Sequence, residues 1–287
     1  MDSPRCRPRL DPLAATWLGE GAVAQRVARW WRTEVERTTD RAWAERFARL
    51  CPVPGVTPGH YLQAVLVGPE GEALAGIRFL GGDVTRPFVD LLAYDGPVAP
   101  WVERALQRFD VFGPQRVRVR CGIEAPLPGA TVDQWVVAGW PVALHQPERL
   151  APATPEQAVP FAVSAHRGWE EAVPWMKGRV VPLDEAGARG AAMEQALWWI
   201  LDQGDRVGVL AVRWAAEREW AGWCVVEQVL LGSHAGKGLA ASAQRAAAAR
   251  LPTQLWFGTI DAANEASLRT AEAVGRQRVG AWWWVQR

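Results

Sequence analysis

Lysine is almost missing from this chain of 287 residues: Lys177 and Lys237 are the only two, and arginine carries nearly all of the positive charge. Formal charges nearly cancel, at +1, and the basic residues are scattered rather than blocked, so there is no electrostatic case for nucleic acid or for an anionic membrane surface. Cysteine is scarce too. Cys6, Cys51, Cys121 and Cys224 lie far apart with no Cys-x-x-Cys pair and no histidine beside them, which argues against a disulfide framework and a zinc site; no metal is expected. No apolar run approaches the roughly 18 residues that span a bilayer, and no secretory leader is recognisable, so a cytoplasmic protein is the expectation. Tyrosine occurs only at Tyr61 and Tyr94, both in the first half.

Apolar residues make up 49% of the chain, enough for proper cores, and its length suits two domains of about 140 residues each. Helical patterns fill Leu13 to Leu50. Gln63 to Val67 and Ala73 to Phe79 read as strands around the turn Gly68-Pro69-Glu70-Gly71, Phe88 to Tyr94 as a third strand, Trp101 to Phe109 as a helix and Arg116 to Cys121 as a strand. Asp133 to Ala138 reads as a short helix before Gly139-Trp140. Pro147 to Pro160 has the spaced prolines of a linker, Asp184 to Gln203 a helical pattern with Trp198 and Trp199 facing a sheet, and Arg206 to Arg213 the character of a strand.

The most telling stretch runs from Ser233 to Ala240 (S-H-A-G-K-G-L-A). Upstream, Ala221 to Leu231 is a nearly continuous apolar run with a single charge at Glu227, as a strand covered on both faces would be. Downstream, Leu239 to Arg250 is rich in alanine, the best helix former, and Leu251-Pro252 stops it. Between them Gly236 and Gly238 permit a tight turn and close approach of a ligand, while the first N–H groups of the helix have no internal partners and sit at the positive end of its dipole. That arrangement receives phosphate. Gln254 to Ile260 follows as a strand, and Asp261-Ala262-Ala263-Asn264 as a turn into a helix that Asn264 caps and Gly275 ends.

These residues resemble the GNAT superfamily of acyl-CoA-dependent N-acyltransferases. The family's pyrophosphate loop is Arg or Gln, two residues, Gly, one residue, then Gly or Ala, and Ala235-Gly236-Lys237-Gly238-Leu239-Ala240 fits it except at the first place. The later family pattern of Asn, two residues, Ser or Ala is matched by Asn264-Glu265-Ala266-Ser267, with Val274-Gly275-Arg276 following in order. The resemblance covers roughly Val207 to Val285. It implies acetyl-CoA or a close relative as cosubstrate, held by Ala235, Gly236, Lys237, Gly238, Leu239, Ala240, Asn264 and Ser267, with the backbone of Val229, Leu230 and Leu231 along the pantetheine arm. The first half repeats the element order but not the loop: Tyr94-Asp95-Gly96-Pro97-Val98-Ala99-Pro100 carries an acid and two prolines that delete donors.

The expected architecture is therefore α/β (α+β): two tandem GNAT-like domains, each a mixed, mostly antiparallel central sheet flanked by helices. Residues 1–146 would be a degenerate domain without a pyrophosphate loop, 147–160 a linker, and 161–287 the acyl-CoA-binding domain. The expected function is transfer of an acetyl or similar acyl group to an amine of a small molecule or peptide. A non-catalytic acyl-CoA binder or scaffold is the competing class, because Ala235 replaces the Arg or Gln and Ala271 stands where many members place a tyrosine as general acid. Aminoacyl transfer from charged tRNA would need a basic groove that the charge balance does not advertise. A Walker-type loop is ruled against by spacing, since Gly232 to Lys237 is one residue short and Gly238 replaces the magnesium-binding hydroxyl.

Glu227, the lone carboxylate on its strand, is the first candidate for general base, with pairing to an arginine such as Arg213 as the alternative. His234 is the second, as an imidazole beside the glycine turn. His60, His145 and His166 have no evident context. For Asn264 and Ser267, plain helix capping and coenzyme contact both stay open. The tryptophans, among them Trp220, Trp223, Trp256 and Trp282 to Trp284, read as core or interface. Because the chain ends soon after Trp284, either the halves complete one another's sheets or Trp282 to Val285 pairs with a second subunit in a homodimer.

Overall fold

The computed structural model describes residues 6–8 and 10–286. Its elements run α1 (Pro12–Leu18), α2 (Glu20–Glu36), α3 (Arg41–Leu50), β1 (Ala64–Gly68), β2 (Gly71–Phe79), β3 (Pro87–Tyr94), α4 (Ala99–Arg108), β4 (Arg116–Cys121) and β5 (Thr131–Gly139). They continue with β6 (Leu150–Pro152), α5 (Pro155–Ala172), α6 (Glu185–Met193), β7 (Leu197–Asp202), β8 (Asp205–Glu217), β9 (Trp220–Leu230), α7 (Leu239–Ala248), β10 (Trp256–Asp261), α8 (Glu265–Ala273) and β11 (Arg276–Gln286). Two compact units divide these residues: one takes the chain up to Trp135 together with Glu217–Trp220 and everything from Val279 onward, the other Val136–Ala216 and Ala221–Arg278. The partition is interleaved, and β5 and β11 each pass from one unit to the other.

In the first unit β1, β2 and β3 pair antiparallel, β3 and β4 parallel, and β4 pairs antiparallel with the last residues of β11. The register sets Trp282 against Arg120 and Val285 against Val117, so the last residues of β11 pair within this unit's sheet. Leu91, Ile77, Tyr61, Trp101 and Phe109 fill its core. The Tyr61 hydroxyl is spent there, donating to the Cys51 carbonyl at 2.7 Å and accepting from the Val53 amide at 3.1 Å.

The second unit has β6, β7 and β8 paired antiparallel in turn, β9 beside β8, and β10 parallel to β9. Successive residues of β7 face opposite ways: Trp198 joins the cluster of Leu239, Ala243 and Trp256 under α7, and Trp199 the cluster of Ala158, Ala162 and Ala188 under α5 and α6. The strand pairing within each unit is thus mixed and mostly antiparallel, with helices flanking the strands.

Three sequence expectations fail for local reasons. Asp184 to Gln203 is not one helix: α6 ends at Met193, Gln195 adopts φ 55°, and the run from Leu197 is strand β7, its bulky residues alternating between two cores. Asp133 to Ala138 is not a helix but the middle of β5, where Val136 and Val137 favour the extended chain and Asp133 is buried against Arg118. Pro147 to Pro160 is ordered as a 3₁₀ turn, edge strand β6 and the start of α5. Pro155 occupies the first turn of α5, where no N–H is needed, and Pro152 lies on an edge strand where a missing donor is tolerated. Among the described residues no helix is long and apolar enough to cross a membrane.

Trp284 stacks edge-on against Phe88 with centroids 5.0 Å apart, and the Arg116 guanidinium lies 3.8 Å from its ring centre. Trp284→Ala is expected to destabilise the protein by about 3–5 kcal/mol in urea unfolding monitored by near-UV circular dichroism; a loss below about 1 kcal/mol would contradict the placement of β11.

Candidate functional site

β9 and β10 are paired only briefly. Trp223 stands opposite Trp256 and Cys224 opposite Phe257, and beyond that register the two parallel strands part. The pairing begins at Gly222, whose φ of 154° and lack of a side chain admit the Leu255 carbonyl; a Cβ there would lie 2.0 Å from that oxygen. On its other side β9 stays attached, the Leu231 amide donating to the Val207 carbonyl at 2.9 Å. Backbone groups alternate sides along a strand, so Val229 and Leu231 serve β8 while Gln228 and Leu230 point into the gap that β10 has left. Of the three strand positions expected along a pantetheine arm, Leu230 is therefore the one directed there. Its carbonyl accepts from Trp169 Nε1 of α5 at 2.7 Å.

The parted edge leads into the glycine loop. Residues Gly232–His234 make a single 3₁₀ turn, closed by His234 and Ala235 amides on the Leu231 and Gly232 carbonyls. Gly236 and Gly238 both have φ 74°, and a Cβ on either would meet nothing within 4 Å, so the glycines serve conformation and leave open space before them. Gly238 is the N-cap of α7 and brings no side-chain cap. The first α7 amides, from Leu239 and Ala240 onward, consequently have no intrahelical acceptor, and Lys237 is exposed beside them.

A chain of two glutamine amides anchored on the buried Arg276 fixes this helix end. Gln228 Nε2 donates to the Ala240 carbonyl at 2.8 Å, Gln244 Nε2 donates to Gln228 Oε1, and Arg276 Nη2 donates to Gln244 Oε1 at 2.7 Å. Arg276 is 4% exposed, and burial pushes its pKa down to about 10. In the sequence Arg276 stands out only as the residue after the Val274-Gly275 helix end, and Gln228 and Gln244 form no spaced motif with it.

Glu227 is buried, at 6% exposure, and its partner is not Arg213. Its Oε2 accepts from His166 Nε2 and from the Leu183 amide, each at 2.9 Å. A carboxylate only accepts, so His166 donates through Nε2, while its Nδ1 is buried and without a partner. His166 thus acquires the context that the sequence did not offer; α5 lies 61 positions away in the chain, too far for any local pattern. The segment between α5 and α6 reaches both parted strands, through Leu183 to Glu227 and through Arg179 to Asp261 of β10 at 2.8 Å.

His234 is not brought to Glu227. It lies 3.9 Å from Asp202 Oδ2 and within 3.0 Å of the Ser233 hydroxyl. Asn264 caps α8, its side chain accepting from the Ser267 amide at 3.1 Å. Ala271 is fully buried in the core. In the first unit the turn after β3 is closed on itself: Asp95 Oδ2 accepts from the Glu72 amide at 3.0 Å and Trp101 Nε1 donates to the Asp95 carbonyl at 2.7 Å. A cavity of about 390 Å³ lies beside the mouth of the gap, walled by Ala165, Gly168 and Trp169 of α5 and by Leu231 and Gly232. Among the described residues no group of three His, Cys, Asp or Glu side chains is placed to hold a metal ion.

No family model matches the chain, and no curated protein matches it. Solved structures do. An acetyltransferase from the GNAT family of Colwellia psychrerythraea is 13% identical with a TM-score of 0.47, over 75% of this chain and 80% of that one. A GCN5-related N-acetyltransferase from Sphaerobacter thermophilus is 15% identical with a TM-score of 0.47, over 81% and 82%. Saccharomyces cerevisiae N-myristoyltransferase with bound myristoyl-CoA is 7% identical with a TM-score of 0.41, over 84% and 70%. Likenesses this distant carry no chemistry.

Removing the Glu227 carboxylate strands the Leu183 amide and His166 in a buried place. Glu227→Ala is expected to cost about 3 kcal/mol in chemical denaturation, and Glu227→Gln, which keeps an acceptor, clearly less; equal and negligible losses would show that the carboxylate is not clamped as described.

Proposed function

We propose that the second unit binds an acyl-CoA and transfers its acyl group, acetyl or similar, to an amine. The observation that carries this reading is the parting of β9 and β10 beyond Cys224 and Phe257, because the freed edge runs straight into an uncapped helix N-terminus behind two left-handed glycines. A diphosphate on the amides of Gly236 to Ala240 would satisfy donors that the helix cannot, with Lys237 adding charge. The pantetheine arm would extend the sheet along the Gln228 and Leu230 edge in place of β10. Asn264, whose Oδ1 caps α8, and Ser267 would also contact the coenzyme, and Ala235 contributes backbone alone.

In the transfer, the neutral amine nitrogen bonds to the thioester carbonyl carbon, the carbon–sulfur bond breaks, and the sulfur leaves as thiolate to take a proton from solvent. The proton lost by the amine goes to His166 Nδ1, with Glu227 holding the opposite ring nitrogen, in the manner of a carboxylate-oriented imidazole base. Glu227 therefore acts as a positioning residue in this scheme. His234 is the alternative base on the loop itself. A non-catalytic acyl-CoA binder is favoured by one specific observation, the enclosure of both His166 and Glu227 at 6% exposure.

Titration of acetyl-CoA into the full chain is expected to raise its melting temperature saturably, and thiol release across a panel of amines to follow in wild type and fall at least about tenfold in His166→Asn. Gly238→Glu, which sets a carboxylate before the helix N-terminus, is expected to weaken binding by about tenfold or more. Stabilisation without thiol release would leave the binder, and no stabilisation by any acyl-CoA would overturn the proposal.

A further inference from the structure

The hairpin turn between β8 and β9, which belongs to the first unit, carries a cluster of arginines that outnumber their acceptors. Arg218 sits at its tip with φ 49°, a left-handed conformation that a non-glycine residue adopts at a cost. Its side chain is 14% exposed and lies over Trp30 at 4.3 Å and over Trp282 at 5.7 Å from the ring centres. Arg120, 12% exposed, also faces Trp282, at 5.6 Å. Arg26 reaches in from α2.

Glu219 is the residue on which these three guanidinium groups converge. Its Oε1 takes Arg120, its backbone carbonyl takes Arg26 Nη2 at 3.1 Å, and its Oε2 stands 3.7 Å from Arg218 Nε, beyond hydrogen-bond reach. The neighbouring acids are committed elsewhere. Asp90 holds Arg118 at 2.7 Å and Arg78 at 3.6 Å, and Glu34 holds Arg37 and Gln63. What remains is a set of buried N–H donors with no acceptor: Arg26 Nε, Arg218 Nε and Arg218 Nη1. Buried guanidinium groups left in this state are costly, and burial indeed pushes the Arg218 pKa down to about 10 and the Arg26 pKa below its ordinary value. A single oxyanion would supply acceptors for all three donors and offset the charge excess.

We propose that Arg26, Arg120 and Arg218, floored by Trp30 and Trp282, form a binding site for a compact oxyanion, the phosphate or carboxylate group of a small molecule. The indole faces keep the guanidinium planes in place by cation–π contact while leaving their N–H edges for the ligand. The site is independent of the glycine loop and of the acyl-CoA reading.

Calorimetric titration of the full chain with inorganic phosphate and, separately, with acetate at constant ionic strength tests it. Saturable binding of either probe is expected, weakened at least about tenfold in Arg218→Gln and in Arg26→Gln and unchanged in Arg189→Gln, whose guanidinium lies on an exposed helix pairing with Glu185. The stronger of the two probes identifies phosphate or carboxylate as the group recognised. Phosphate bound on the glycine loop would survive Arg218→Gln and disappear in Gly238→Glu, and that pattern overturns the proposal, as does the absence of saturable binding of both probes. Should the arginine variants not fold, wild-type crystals soaked in tungstate decide the matter: an anomalous peak within hydrogen-bond reach of Arg26 Nε and Arg218 supports the site, and its absence there refutes it.

Discussion

A strand that leaves a sheet must do something with the backbone groups it uncovers. β9 and β10 share two register positions and then diverge, so the edge of β9 beyond Cys224 has hydrogen-bonding groups with no ladder to join. One of them, the Leu230 carbonyl, is met by the Trp169 indole. The rest of the second unit is arranged around keeping that gap open and shaped. Glu227 ties β9 to α5 and to the Leu183 amide, Arg179 ties the same segment to β10, and the Gln228, Gln244 and Arg276 chain holds the start of α7 at the end of the gap. Open edge and open helix terminus together make a surface suited to a long ligand with an anionic end.

What could be read in the sequence was what short-range chemistry dictates. The glycines at 236 and 238 announced a turn that only positive φ can make, the alanine run announced α7, and Asn264 announced a cap; each depends on residues within a few positions of itself. The Glu227 and His166 pair depends on how α5 docks, and no pattern in the chain foretells which carboxylate an isolated histidine will meet. The Trp198 and Trp199 pair shows a different limit. An alanine-rich helical stretch precedes them, and only their opposite destinations, one under α7 and one under α5, reveal the period of two that makes β7 a strand. Prolines misled at Pro147 to Pro160 because Pro147 and Pro155 stand in a first helical turn and Pro152 on an edge strand, where missing donors cost little, while Pro160 is carried inside α5.

The first unit shows how composition can hide a structural device. Arginines at 116, 118 and 120 and tryptophans at 282 and 284 have the spacing of strand faces, yet they lie more than a hundred residues apart and come together only because Ala281 to Gln286 pairs with Arg116 to Cys121. The resulting stack of guanidinium groups on indoles, with Asp90 and Asp133 enclosed beside it, replaces the usual apolar face of a sheet by a charged one. Such a face demands an acceptor for every donor, and the turn at Arg218 and Glu219 is where the demand is unmet.

Hydrogen exchange with and without acetyl-CoA tests the central claim, that the parted edge of β9 and the start of α7 are one ligand-binding surface. Slowed exchange of the amides at Gln228, Leu230 and residues 238–241 on adding acetyl-CoA, with none at Tyr94 to Val98 in the first unit, is the result the account predicts. Unchanged exchange along both stretches of the second unit, or protection confined to Tyr94 to Val98, would contradict it.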